Sequence, residues 1–249
     1  MDSTLLIVAL GAIVAGFVQG LSGFAFGLVS MSIWAWSVDP RLAVVLAVFG
    51  GLTGQVIAAV TVRRRLDWER LAPFVAGGLL GLPIGLWLLP YLDVPLFKGL
   101  LGALLVTWCP LMLWSSRLPR INAGGRIADG VVGTAGGFLS ALGGFAGAIP
   151  TLWCTLRGFD KDAQRAVVQN FNLAMLAVTF ASYLGKGMVT VAMLPMLAIV
   201  AGAVLVPVLI GARVYVGLSD AAFRRAVMVL LTLSGVALLG SALPVLVVR

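Results

Sequence analysis

The chain contains no histidine. That excludes every device in which an imidazole moves a proton to or from a serine or cysteine nucleophile, and it removes the commonest metal ligand. Charge is scarce as well. Asp, Glu, Lys and Arg together make up 10% of the 249 residues, and only nine of them are acidic. Those nine (Asp2, Asp39, Asp67, Glu69, Asp93, Asp129, Asp160, Asp162 and Asp220) all fall in or beside short polar breaks, so no carboxylate stands in the middle of an apolar run. The two cysteines, Cys109 and Cys154, both lie inside apolar runs with no Cys/His ligand spacing around them. They read as small buried residues and not as a disulfide or a metal pair. No cofactor and no metal is expected, and the residues for a membrane enzyme are missing.

What the chain has in abundance is hydrocarbon. Apolar residues make up 61% of it and the mean hydropathy is +1.11. A soluble core of this size could not be covered by so few charges, so lipid must solvate much of the surface. The apolar stretches run over 5–36, 42–62, 71–92, 96–114, 127–156, 166–184, 189–216 and 221–248. Most are near the roughly 20 residues that a spanning helix needs. The first four residues carry no basic charge and no cleavage site follows, so the opening run reads as mature protein. The net charge of +8 sits in the polar breaks and is not interleaved with aromatics. It points to the lipid bilayer and its anionic headgroups as partner, and not to nucleic acid. Trp34, Trp36, Trp68, Trp114 and Trp153 lie near stretch ends and read as an interfacial belt.

A repeat runs through the chain. Gly16-Phe17 and Leu21, Gly23, Phe24 and Ala25 recur as Gly137-Phe138 and Leu142, Gly144, Phe145 and Ala146, at a constant offset of 121 residues. Asp39 and Asp160 share that offset; Gly78 and Pro83 match Gly202 and Pro207 at 124, and Phe97-Lys98 matches Phe223-Arg224 at 126. The chain therefore divides into a membrane repeat over 1–116, a cytoplasmic linker over 117–126, and a second membrane repeat over 127–249.

The distribution of cations decides between two topologies. The stretch 5–36 would form a helix of roughly 48 Å, longer than the roughly 30 Å hydrocarbon core, and glycines interrupt it. If every stretch crosses once, the Lys and Arg residues divide 9 against 8 between the two sides, with no bias. If the first stretch of each half instead enters and leaves on one side, they divide 13 against 4. The positive-inside rule favours the second arrangement. The expected fold is thus an all-α polytopic membrane protein of two inverted structural repeats, each a re-entrant broken-helix pair followed by three transmembrane helices. Paired broken helices of this kind recur in transporters.

The glycine motifs are then the candidate site. Irregular backbone at membrane depth persists only where protein buries it or it lines a cavity, and the start of a half-helix offers N–H groups to an anion. Gln19, Gly20, Ser22, Gly23 and Phe24 in the first half pair with Ser140, Gly143, Gly144 and Phe145 in the second. Gln169, Asn170 and Asn172 add three amides at the start of the sixth stretch, with Thr53 and Gln55 in the comparable place of the first half. Each of these has a plainer reading: glycines at four-residue spacing pack helices, and amides bond between them.

The motifs Gly16-Phe17-Val18-Gln19-Gly20-Leu21-Ser22-Gly23-Phe24-Ala25-Phe26-Gly27 and Gly137-Phe138-Leu139-Ser140-Ala141-Leu142-Gly143-Gly144-Phe145 resemble those of the sulfite exporter TauE/SafE family, and the resemblance covers essentially the whole chain. It implies a permease of the bacterial inner membrane whose substrate is a small sulfur-containing anion: sulfite, thiosulfate or an organosulfonate. It also extends to Gln19, Ser22 and Ser140. The chain departs from a common family pattern at Gln169-Asn170-Phe171-Asn172, where a smaller Gly/Thr/Ser motif is expected. The competing expectation is a non-transporting subunit of a larger complex, although no long docking loop or tail is present. A homodimer is expected on general grounds only.

Overall fold

The computed structural model describes residues 3–61, 66–115, 119–121, 124–214 and 220–247. Arg63, Arg64, Arg65 and Arg249, with Arg117 and Asn122 of the linker, lie outside the described residues. The described residues are helical with no strand. Ten α-helices follow one another: α1 (Ser3–Ser22), α2 (Phe26–Trp34), α3 (Pro40–Thr61), α4 (Trp68–Leu88), α5 (Val94–Trp114), α6 (Gly125–Gly143), α7 (Ala148–Leu156), α8 (Lys161–Gly185), α9 (Leu194–Val214) and α10 (Asp220–Val247). Seven of them, α1, α3, α4, α5, α8, α9 and α10, contain segments long and apolar enough to cross a membrane. The order long helix, nine-residue helix, then three long helices occurs twice.

The few acidic residues start the helices. Asp67, Asp93 and Asp160 cap α4, α5 and α8, each accepting a hydrogen bond from an N–H of the first turn, and Asp39 accepts from Arg41 and Leu42 at the start of α3. A carboxylate at this position satisfies otherwise unpaired donors and complements the positive end of the helix. Scarce acids at polar breaks are therefore structural.

In each half the long helix and the nine-residue helix form a hairpin. Trp34, at the far end of α2, donates its indole N–H to the carbonyl of Ile7 near the start of α1 (3.3 Å). Trp153, at the far end of α7, donates to the Asp129 carboxylate near the start of α6 (2.6 Å). These two tryptophans correct the belt expectation: Trp34 is fully buried and Trp153 is half-buried, both clasping a hairpin shut, whereas Trp36, Trp68 and Trp114 are exposed. The hairpin arms are also unequal. α1 has 20 residues and α2 has nine, because the chain turns at Gly23 and not midway along the stretch.

The hairpins point opposite ways. α1 runs parallel to α3, with Gln19 bonded to the Gly51 carbonyl and Gln55 to that of Gly23. α6 runs parallel to α8, through Ser140 with Thr179 and Ala141 with Tyr183. α3 and α8 are antiparallel: Phe49 stacks on Phe180, whereas Gln169, ahead of it on α8, meets Gly23 beside Gln55. Each hairpin is gripped by a helix of the other half. α4 lies along α6 and α9 along α1.

That grip is made by glycine. A Cβ at Gly77 would strike the Gly130 carbonyl, one at Gly81 the Thr134 carbonyl, and one at Gly137 the backbone of Gly78. Likewise, Gly20 faces the Val208 carbonyl and Gly211 that of Phe17. Small residues at four-residue spacing let membrane helices meet backbone to backbone. Gly81→Leu should lower the melting temperature of the detergent-purified protein sharply, beyond the roughly 1–3 kcal/mol of ordinary overpacking, since the obstacle is main chain. Gly202→Ala, where an added Cβ meets nothing within 4 Å, should leave it unchanged. Size-exclusion after graded heating compares the two; equal melting curves would refute this account of the packing.

Candidate functional site

The two hairpin tips meet. Both turn on a glycine in the left-handed region, Gly23 at φ +83° and Gly144 at φ +73°, a conformation that costs an L-residue about 1–2 kcal/mol. Gly23 and Gly144 are the two residues that the repeat aligns at offset 121. Between the tips there is no room for side chains: a Cβ at Gly27 would lie 2.6 Å from the Gly143 carbonyl oxygen, and one at Gly147 2.6 Å from Phe24 Cβ and from Asn172 Nδ2. The second tip rests on α3 at Ala47 and Val48.

Side chains of the expected set hold the first tip from several directions. Gln19 donates to the Gly51 carbonyl (2.8 Å), and Gln55 to that of Gly23 (2.7 Å). Ser22 accepts from the N–H groups of Phe24 (3.3 Å) and Ala25 (3.1 Å), closing the turn into α2. At the second tip, Ser140 shares a buried hydrogen bond of 2.8 Å with Thr179, and the Phe145 ring covers Gly143. Trp108 of α5 donates to the Ala148 carbonyl at the start of α7 (2.8 Å) and meets Phe24 edge to face, with ring centroids 5.6 Å apart. Gly20 serves the contact with α9 as well as the tip.

Asn172 stands out. It is 1% exposed, it lies against Gly147, and neither its Oδ1 nor its Nδ2 has a hydrogen-bond partner. The Oε1 of Gln19 is likewise buried and unpartnered. Each such atom costs about 1–3 kcal/mol when water is lost and nothing replaces it. Asn170 is half-buried on α8 and lines neither cavity described next.

Beside the first tip is a cavity of about 110 Å³. Ser22, Phe24 and Gln169, all expected from the sequence, line it, together with Thr151, Lys161, Gln164 and Arg165, which sequence reasoning passed over as loop cations and ordinary helix polars. Arg165 reaches across to donate from Nη2 to the Gly20 carbonyl (3.0 Å). Among the described residues no carboxylate lines the cavity. A second cavity of about 10 Å³, room for one water, lies on the other flank of the tip between Gln19, Gln55, Arg165 and Gln169. Both lie toward the end of the bundle where α3 closes and α8 opens. Toward the opposite end, Ala43, Val44, Ala47 and Val48 of α3 are at most 1% exposed. The signal that could have found Lys161 and Arg165 is their spacing with Gln164 and Gln169, which places them along one face of α8.

An all-helical body with seven apolar helices of spanning length defines a multi-pass membrane protein. Its sequence matches the Sulfite exporter TauE/SafE family over residues 8–238, nearly the whole chain, and the protein belongs to that family. Membership makes it a membrane permease of the sulfite-exporter type. No curated protein matches the chain, and no solved structure does.

If Asn172 is held unpaired by the fold, Asn172→Leu, close in size, should keep or raise the melting temperature, because it removes two unsatisfied atoms. A fall of several degrees in a detergent melt would show instead that the amide has a stabilising partner.

Proposed function

We propose that the protein is a secondary transporter or facilitator that moves a small sulfur-containing anion (sulfite, thiosulfate or an organosulfonate) across the bacterial inner membrane. The observation that carries this reading is the meeting of the two glycine turns beside a cavity lined by Lys161 and Arg165 and, among the described residues, by no carboxylate. Four features favour an anion there. The α2 and α7 helices begin at the tips, and each helix start contributes a partial positive charge. Gln169 brings an amide donor, and Ser22 a hydroxyl. Arg165 supplies a full charge, held at the tip by the Gly20 carbonyl. The substrate site of this reading comprises Gln19, Gly20, Ser22, Gly23 and Phe24 with Ser140, Gly143, Gly144 and Phe145, completed by Gln169, Asn170 and Asn172.

In this reading residues 1–116 and 127–249 are inverted repeats joined by a cytoplasmic linker over 117–126, and each hairpin enters and leaves on one side. The matching element order and the opposed hairpins support it. The Arg-rich end of the bundle is cytoplasmic. The structure then corresponds to a conformation open to the cytoplasm, with the packed residues Ala43, Val44, Ala47 and Val48 closing the far side.

Flux of labelled sulfite, thiosulfate and a small organosulfonate into proteoliposomes tests the proposal, with and without a pH gradient. Saturable flux of one anion is expected, and none for a small cation; a folded protein that carries none of the three would overturn it. Gly144→Ala adds a Cβ that meets only ordinary van der Waals neighbours, so its effect is confined to the backbone turn. The variant should insert into the membrane and lose most of the flux, because the second tip can no longer hold a left-handed conformation at no cost. Wild-type flux in that variant would detach the tip from the transport path.

A further inference from the structure

We propose that Arg165 is an anion-released latch on the first hairpin tip: an anion that engages its guanidinium in the larger cavity draws it off the Gly20 carbonyl and frees the tip. The proposal rests on the anion-permease reading and adds to it how occupancy of the cavity reaches the fold. One carbonyl at each tip carries the argument. At the first turn the Phe24 N–H, which an unbroken helix would give to the Gly20 carbonyl, goes to Ser22 Oγ (3.3 Å). At the second turn the Phe145 N–H, which would go to Ala141, goes to the Leu139 carbonyl (3.3 Å). Each turn thus takes the helical partner from one carbonyl, and Gly20 and Ala141 stand at the repeat offset of 121. A buried main-chain acceptor in such a place needs another donor.

The donors that replace it differ between the tips. Tyr183 of α8 gives its hydroxyl to the Ala141 carbonyl (2.7 Å); it is 0% exposed and lines neither cavity. Arg165, near the start of the same helix, gives Nη2 to the Gly20 carbonyl (3.0 Å); it is half-buried and lines both cavities. The residue at offset 121 from Arg165 is Val44 of α3, buried and apolar, so the position that supplies the cation at the first tip supplies no donor at the second. One tip is therefore closed by a sealed neutral group and the other by a charged group that a ligand can reach. A guanidinium bonds a neutral carbonyl more weakly than an oxyanion, which takes its planar fork through two N–H groups. An oxyanion in the larger cavity competes with Gly20 for Arg165, whereas the Tyr183 bond stays out of its reach. The coupling is reciprocal: whatever holds the first tip shut weakens the anion, and the anion loosens the tip. Arg165 is in this sense a positioning residue, acting on the turn as well as on the ligand.

The test is hydrogen–deuterium exchange of the full chain in nanodiscs of neutral lipid, read at residues 21–26 and 142–147. It compares the protein alone with the protein in sulfite, thiosulfate or methanesulfonate at matched ionic strength. One of these anions should speed exchange at the first tip about tenfold and leave the second tip unchanged. This comparison needs no variant. Arg165→Gln should show the faster first-tip exchange without any anion, and no further response when one is added. Tyr183→Phe should loosen the second tip and leave the anion response of the first intact. Slower first-tip exchange in the presence of the anion, or an equal change at both tips, would overturn the proposal. So would a folded Arg165→Gln protein that exchanges and responds as the wild type does. Where one anion shows saturable flux in proteoliposomes yet moves neither tip, the latch is removed and the permease reading stands; where no anion is carried and none moves a tip, both fall.

Discussion

The structure depends on the contact of bare backbone with bare backbone. α4 can lie along α6, and α9 along α1, only because Gly77, Gly81 and Gly137 in one pair and Gly20 and Gly211 in the other leave nothing between the chains. In lipid there is no hydrophobic gain in bringing two apolar helices together, since the tails are as apolar as leucine. Close van der Waals contact is what remains. The composition follows from this: 31 glycines in 249 residues would weaken a soluble helical protein, yet here they are the adhesive. The pairing also crosses the chain: α9 covers the first hairpin and α4 the second.

Once the hairpins are clamped in opposite senses, the geometry of the tips follows. Each tip is a left-handed glycine that ends one helix and launches a nine-residue helix, and the two breaks lie against each other at Gly27 and Gly143. The exposed polar backbone of two broken helices is thereby buried in protein, as any irregular segment within a bilayer must be. The environment on the two sides of this junction differs. Toward the start of α8 it meets Lys161, Gln164, Arg165 and Gln169; along the start of α3 it meets Ala43, Val44, Ala47 and Val48, all buried. Two similar glycine turns therefore sit in different chemistry, and the cavity of about 110 Å³ lies on the flank of Lys161 and Arg165.

Much of this was legible in the sequence, for identifiable reasons. Apolar stretches mark spans directly, and the offset of 121 residues aligned the two glycines that prove to adopt the same left-handed turn. Clustered amides in an apolar run signalled buried polar groups; of the three, Asn172 is fully buried, whereas Gln169 and Asn170 are half-buried. The misses have physical causes too. Trp34 and Trp153 were assigned to the interface because stretch ends usually lie there, but in a hairpin the end of the short arm returns against the start of the long one, and the indole N–H finds a carbonyl or a carboxylate. Lys161 and Arg165 were counted as orienting charges. Nothing in a linear pattern distinguishes a cation that faces headgroups from one that folds inward to a tip 145 residues away, as Arg165 does with Gly20.

The strengths of these contacts also limit how such a body can rearrange. The glycine seams are steric and all-or-none: sliding α1 along α9 would drive Cβ atoms into carbonyls. The first tip is bound to α3 and α8 differently, by three side-chain hydrogen bonds to main-chain carbonyls, from Gln19, Gln55 and Arg165. Neutral bonds of this kind contribute about 0.5–1.5 kcal/mol each, and those from a charged group about 1.5–3. Breaking all three is within reach of a substrate that supplies replacement contacts, whereas breaking a seam is not.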